Sequence, residues 1–464
     1  MNMRWQPPKH GAPAGRRFSG EQILAWLTAA VMVVGTALGG ATRYNLAPIM
    51  IIETACLPLL AYTIWRMTAA PLPKDFRLPL ILIGAAFAIL IIQLIPLPGP
   101  IWAVLPGHGP AAAVRRMAGV TGWAPISLLP SETLSHLLAL LPPVAVFLGV
   151  AGLSTNSKRW LSLVPLGMSL VSVAIGVAQI AGGPDSPLYF VEGANTDSAV
   201  GLFVNRNHQA SMLVAALPLA ALWLNLDRHQ RRKTLIPVAF AIAIFMVEIV
   251  ALVVVKSRAG VLLTVPALVA SLMLVWRNEM GEGRRGATLL GGVIAIVLLV
   301  AVAFGIGPVL DRFTSANDTE MGGRLTAALS TLHTTLEYLP FGSGSGTFVP
   351  VFAGHEPIDL MGPKFWNHAH NDFLEIFLET GLMGLAALVG FLYWVARRTL
   401  VAWASPSSNS ANLACAGSIV VILLLLHSTI DYPLRTLTMA TVFAYACGLL
   451  VNPGGEARRS RRSS

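Results

Sequence analysis

The chain has 464 residues, of which 55% are hydrophobic and 12% charged, with a formal charge of +10 and a mean hydropathy of +0.67. Soluble domains carry about 25% charged residues, and an apolar run of about 20 residues suffices to cross a bilayer as a helix. A cytosolic enzyme and a disordered chain are thereby excluded. Because the runs are continuous rather than alternating, so is a β-barrel, leaving an all-α polytopic membrane protein.

In chain order, apolar runs between charged or Pro/Gly-rich breaks predict about twelve spans, near 22–41, 46–65, 78–98, 134–153, 161–182, 209–226, 234–255, 259–276, 287–307, 374–396, 411–431 and 433–451. The organisation that follows is a cytoplasmic tail (1–21), nine transmembrane helices (22–307), a long external loop before the third-last helix (308–373), three more helices (374–451) and a basic cytoplasmic tail (452–464). Orientation follows from charge. With both termini inside, 22 of the 32 Lys and Arg residues fall on the cytoplasmic side, as the positive-inside rule requires. Cys56, Cys415 and Cys447 lie within apolar runs and read as small packing residues.

The ten cations left outside include Arg206, Arg258, Arg324 and Arg435. An arginine at the membrane boundary is costly unless it snorkels or meets an anion, and its planar fork suits phosphate oxygens. Asn205-Arg206-Asn207-His208 opens the sixth span, Ser257-Arg258-Ala259-Gly260 forms a short external turn, and Arg324 follows Gly322-Gly323. Such arginines can grip a diphosphate or simply anionic lipid. In the long loop Leu325, Leu329, Leu332, Leu336 and Leu339 are spaced for one face of a surface helix. Pro340 breaks it, and the Gly342–Gly346 run, lacking the Gly-Lys-Ser/Thr ending of a phosphate loop, reads as a flexible turn.

Where that loop re-enters the membrane stands Asn367-His368-Ala369-His370-Asn371-Asp372. An imidazole at a helix N-terminus facing water suits a general base; capping by Asn371 or Asp372 is the plainer account of the same residues. A metal site is not expected, since His-x-His is one pair without further ligands. Glu53 and Glu248 lie within spans, where a carboxyl bonded to a neighbouring helix is the simplest account. His427, Asp431 and Arg435 are expected to form a structural ion pair at the edge of the site.

His370-Asn371, nine residues, then Gly381-Leu382-Met383-Gly384 resembles the signature of the bacterial O-antigen ligase and O-antigen polymerase superfamily. Phe203–His208, Ser257–Gly260, Pro125–Leu128 and Leu339–Gly344 resemble further blocks of that family, in order from about residue 120 to 450. The resemblance implies an inverting, metal-independent and cofactor-free glycosyltransferase with a membrane fold of the C-type, in a bacterial inner membrane. The donor would be a polyprenyl diphosphate-linked glycan on the periplasmic face, and the acceptor lipid A-core or a growing polysaccharide. It also implies His370 as the essential histidine and Arg206 and Arg258 as arginines near the diphosphate, with Arg324, His368 and Asn371 as further substrate-binding candidates. The chemistry agrees, because a diphosphate is already a good leaving group and needs charge stabilisation rather than a general acid. No Asp-x-Asp motif stands in an external loop to hold a divalent cation, and no nucleotide or nucleic acid is expected as a partner. Ligase and polymerase share these motifs. A transporter or flippase of lipid-linked glycans is the reading from another class, although no internal repeat stands out and the polar candidates gather at the outer face.

Overall fold

A computed structural model of the chain describes residues 19–41, 46–69, 74–191, 193–224, 236–279, 318–362 and 365–451. Among them eight helical segments are long and apolar enough to cross a membrane. The expected ninth span (287–307), the start of the long loop (308–317), the C-terminal tail and all but the last residues of the N-terminal tail lie outside the described residues.

Helices α1 (Gly20–Leu38), α2 (Leu46–Thr68) and α3 (Arg77–Leu94) come first. Ser19 and Gln22 close a capping box at the start of α1, satisfying two N–H groups that the helix cannot. Between α3 and the next apolar run lie α4 (Gly99–Ala103) and α5 (Gly109–Met117). Residues 96–97 pair with 124–125 as an antiparallel two-residue ladder, the strand content of the described chain.

Two predicted spans are each built from two helices. The run near 134–153 is α6 (Pro130–Ala139) followed by α7 (Leu141–Ala151), and that near 161–182 is α8 (Thr155–Leu161) followed by α9 (Leu163–Gly182). Pro142, Pro143 and Pro165 each stand within three residues of the new helix start, where a missing N–H removes no helical bond. Helix α10 (Arg206–Leu224) is the axis of the bundle: His208 through Leu224 are all buried, against α9, α11 (Ile236–Val255) and α12 (Arg258–Glu279).

After these come α13 (Asp318–Glu337), α14 (Phe348–Ala353), α15 (Asp372–Ala404), α16 (Asn409–His427) and α17 (Leu437–Leu449). The leucine stripe of α13 is where the spacing put it. Leu325, Leu329, Leu332 and Leu336 are exposed, while Ala327, Thr331, Thr334 and Thr335 face the protein; Leu339 falls past the helix end. The last two predicted spans are shorter than the apolar runs suggested, because residues 428–436 form a connecting segment between α16 and α17. Cys56, Cys415 and Cys447 are free and buried, and Glu248 accepts a hydrogen bond from Ser169 on α9.

Candidate functional site

Helix α15 begins at the edge of the long loop, with Asn371 as its N-cap. Asn371 is extended and its side-chain oxygen accepts from the N–H groups of Phe373 and Leu374, at 3.0 and 3.1 Å. Its amide donates to the Thr429 carbonyl at 3.0 Å, so both ends of the side chain are engaged by backbone. His370, one residue earlier, has φ +50°, a left-handed conformation that costs a branched or bulky side chain energy and is held only by surrounding contacts. Its ring is 17% exposed, and its Nδ1 lies 3.3 Å from Asp431 Oδ1 at an ion-pair separation without hydrogen-bond alignment.

Asp431 belongs to the connecting segment 428–436, and it is fully buried. Burial pushes its carboxyl upward, but the contact and charge of His370, with His208 and His427 adding to it, more than offset that and hold it well below the usual carboxylate range. The neighbouring Tyr432 is a hub for rings: His368, His208 and His370 have centroids 4.2, 4.9 and 5.0 Å from its own. Its hydroxyl accepts from Asn367 at 3.1 Å, and burial pushes the phenol up to about 12. Trp366 packs edge-on against His370 from the other side, at 5.7 Å.

His368 is a different kind of histidine. It is buried, its Nδ1–H donates to Glu375 Oε1 at 2.8 Å, and its Nε2 is buried without a hydrogen-bond partner. Glu375 also accepts from the Ala369 N–H at 2.9 Å. Arg435 does not pair with Asp431, as the sequence suggested. Instead its Nη1 lies 3.1 Å from Glu379 Oε2 and 3.4 Å from Glu375 Oε1, with Nε 3.5 Å from Asp372 Oδ1. Asp372, Glu375 and Glu379 share one face of α15 through their spacing of three and four, and a buried guanidinium needs that many partners to offset its lost hydration. His427 is also outside the expected pair, its Nδ1 lying 2.7 Å from Ser211 Oγ.

The arginine blocks reach this centre through their neighbours. Asn207 Nδ2 donates to Asp431 Oδ2 at 2.5 Å, and Asn207 Oδ1 accepts from Ser257 Oγ at 2.8 Å. One amide thus joins the start of α10, the turn before α12 and the carboxylate beside His370. Arg206 follows at the first residue of α10, with Nη1 3.2 Å from Asp197 Oδ2 on a partly exposed pair. Arg258 is the half-buried first residue of α12, next to Ser257. Arg324 donates to the Ile430 carbonyl at 3.2 Å, one residue from Asp431.

The glycine run is not a flexible turn. Residues 342–348 are buried, and the run docks on the kink of α15: Ser343 and Gly344 N–H groups donate to the carbonyls of Leu378 and Glu379 at 3.0 and 2.9 Å, and Leu382 N–H donates to Pro340 O at 3.0 Å. Gly381 sits at φ +60°, and a Cβ there would lie 2.7 Å from Gly342 N, so the two backbones meet with no room for a side chain. The Pro125–Leu128 block seats on the same run, with Leu128 N–H donating to Ser343 O. Composition could not separate this docked turn from a mobile linker, since both are written in Gly and Ser.

Residues 241–389 match the O-antigen ligase family. Eight of the described helical segments are long and apolar enough to cross a membrane, and the matched residues are similar to the O-antigen ligase and polymerase superfamily. No curated protein matches the chain. The matched residues include Arg258, Arg324, His368, His370 and Asn371, whereas Arg206, Asn207 and the segment 428–436 lie outside them. Sequence reasoning singled out the histidines and arginines but missed Asn207, Tyr432 and the pairing of Asp431 with His370. For Arg435 a signal was present: three acids on one face of an apolar helix require a buried cation nearby.

Proposed function

We propose that the protein transfers a glycan from a polyprenyl diphosphate carrier to an acceptor hydroxyl at the end of the bundle that carries His370, with inversion and without a metal. The observation that carries this reading is the chain of contacts Ser257–Asn207–Asp431–His370, which ties the family's separate motifs to one imidazole. In this reading Asp431 faces Nδ1 of His370 and leaves Nε2 to take the proton of the acceptor hydroxyl as its oxygen attacks the anomeric carbon. The bond from that carbon to the diphosphate oxygen breaks, and the diphosphate leaves with the electron pair. Arg206, Arg258 and Arg324 stabilise the charge that develops on it. Asn371, committed at both ends to backbone, serves by setting His370 at the head of α15 rather than by touching substrate. His368 lines the same aromatic hub behind it. We place the site on the periplasmic face of a bacterial inner membrane, with both termini in the cytoplasm.

The test is transfer by the purified protein in lipid nanodiscs, given a polyprenyl diphosphate glycan with either lipid A-core or a second lipid-linked glycan. A core conjugate would identify a ligase, and a lengthened lipid-linked glycan a polymerase. His370→Ala should lower turnover by about 10²- to 10⁴-fold, the usual worth of a general base, while membrane insertion is unchanged. Wild-type turnover in that variant would exclude His370 as the base.

A further inference from the structure

Arg435 takes no part in the steps above, yet it is the most heavily engaged cation around His370. We propose that it is a positioning residue for the transfer: by binding three carboxylates of α15 it fixes segment 428–436 on that helix and thereby holds Asp431 against His370. The proposal rests on the reading of His370 as the base.

The segment is tied to the head of α15 at two places. At its first residues, Ser428 O accepts from the Asp372 N–H at 2.9 Å, Ser428 Oγ donates to Asp372 Oδ2 at 2.7 Å, and Thr429 O accepts from Asn371. At its far end the only ion pairs to α15 among the described residues are those of Arg435. Asp431 and Tyr432 stand between the two attachments. Tyr432 is joined to Arg435 by a single helical turn, Pro433–Arg435, with the Arg435 N–H donating to Tyr432 O at 3.2 Å. A displacement of the guanidinium is therefore passed to the residues that face His370. Through Glu375 the same guanidinium also borders His368, whose ring lies against Tyr432.

The geometry calls for arginine in particular. Nε meets Asp372 while Nη1 meets Glu375 and Glu379, a spread that the point charge of lysine cannot span. Without the clamp the amino end of the segment stays attached through Ser428 and Thr429, so the segment loosens around Asp431 and Tyr432 rather than leaving the helix.

The experiment compares Arg435→Gln, Arg435→Lys, Asp431→Asn and the Asp431→Asn/Arg435→Gln double variant in nanodiscs. Arg435→Gln is expected to lower kcat by about 100-fold, the scale of a misplaced catalytic group, with little change in donor KM. Arg435→Lys should recover part of that loss. The double variant should be no slower than Asp431→Asn alone, since both substitutions remove one arrangement. A second readout needs no turnover: the rate at which diethyl pyrocarbonate modifies His370, followed by peptide mass spectrometry, should rise in Arg435→Gln and Asp431→Asn alike. If Arg435→Gln fails to fold, Glu379→Gln, which removes one of the three acidic partners, is expected to show the same changes in smaller degree. Unchanged kcat together with unchanged His370 reactivity would overturn the proposal. So would losses that simply add in the double variant with unaltered His370 reactivity, which would reduce Arg435 to a pin for the fold. Activity in His370→Ala would remove the base while leaving the reactivity result to decide the role of Arg435.

Discussion

Two arginines connected through their chain neighbours to the same histidine show how differently one side chain is used. Arg206, at the head of α10, is 27% exposed and pairs with an Asp197 that is 58% exposed. Arg435 is 14% exposed, and none of its three carboxylate partners exceeds 5%. An exposed pair of the first kind is worth about 0–1 kcal/mol and exchanges its carboxylate for an incoming anion at little cost. Three desolvated carboxylates make the second guanidinium a fixture. Exposure and the number of partners are what separate the substrate-binding role proposed for Arg206 from the positioning role proposed for Arg435.

The comparison is sharpened most by Asp431→Asn. It removes the charge facing His370 but keeps the shape, and kcat should fall on the order of 10²-fold, less than in His370→Ala and with donor KM nearly constant. A loss confined to KM would shift Asp431 from the base to the binding of donor. Next comes Arg206→Lys, expected to lower kcat/KM for the donor about tenfold through the lost fork; steady-state kinetics with the lipid-linked donor reads it, and full activity would make Arg206 a surface pair only. Asn371→Ala should cost about 1 kcal/mol of stability through the lost cap, seen as a lower unfolding temperature in nanodiscs. The smallest effect is expected from Asp197→Asn, which releases Arg206 from its acid and should tighten inhibition by free polyprenyl diphosphate about twofold, within the worth of an exposed pair. Weaker inhibition would mean that Asp197 holds Arg206 in its working position.

Eight of the expected spans were legible because a bilayer demands apolar runs of fixed length. Their breaks at Leu140 and Ser162 were not, since continuous hydropathy hides the proline that restarts a helix. Segment 428–436 was hidden for a related reason: Ile430, Tyr432, Pro433 and Leu434 extend the apolar run although the backbone there is a turn. His370, Asn371 and the arginine blocks could be read from short motifs, each local in the chain. Asp431 could not be matched to His370 or to Asn207, which lies 224 residues before it, because nothing in a linear order records which carboxylate a fold brings to an imidazole. Gly381 and Gly384 stood in the signature without a reason. Contact with the Pro340–Gly342 backbone supplies one for the first, and the closeness of Thr380 supplies one for the second.

Asn207 narrows its own replacements to none. Donor towards Asp431 and acceptor from Ser257 at once, it fills a role that demands both halves of a carboxamide. Aspartate would set two like charges face to face, leucine would strand a hydroxyl and a carboxylate together, and glutamine would overshoot by a methylene. A position that looks like an ordinary polar residue in the sequence is thus held from both sides by its partners.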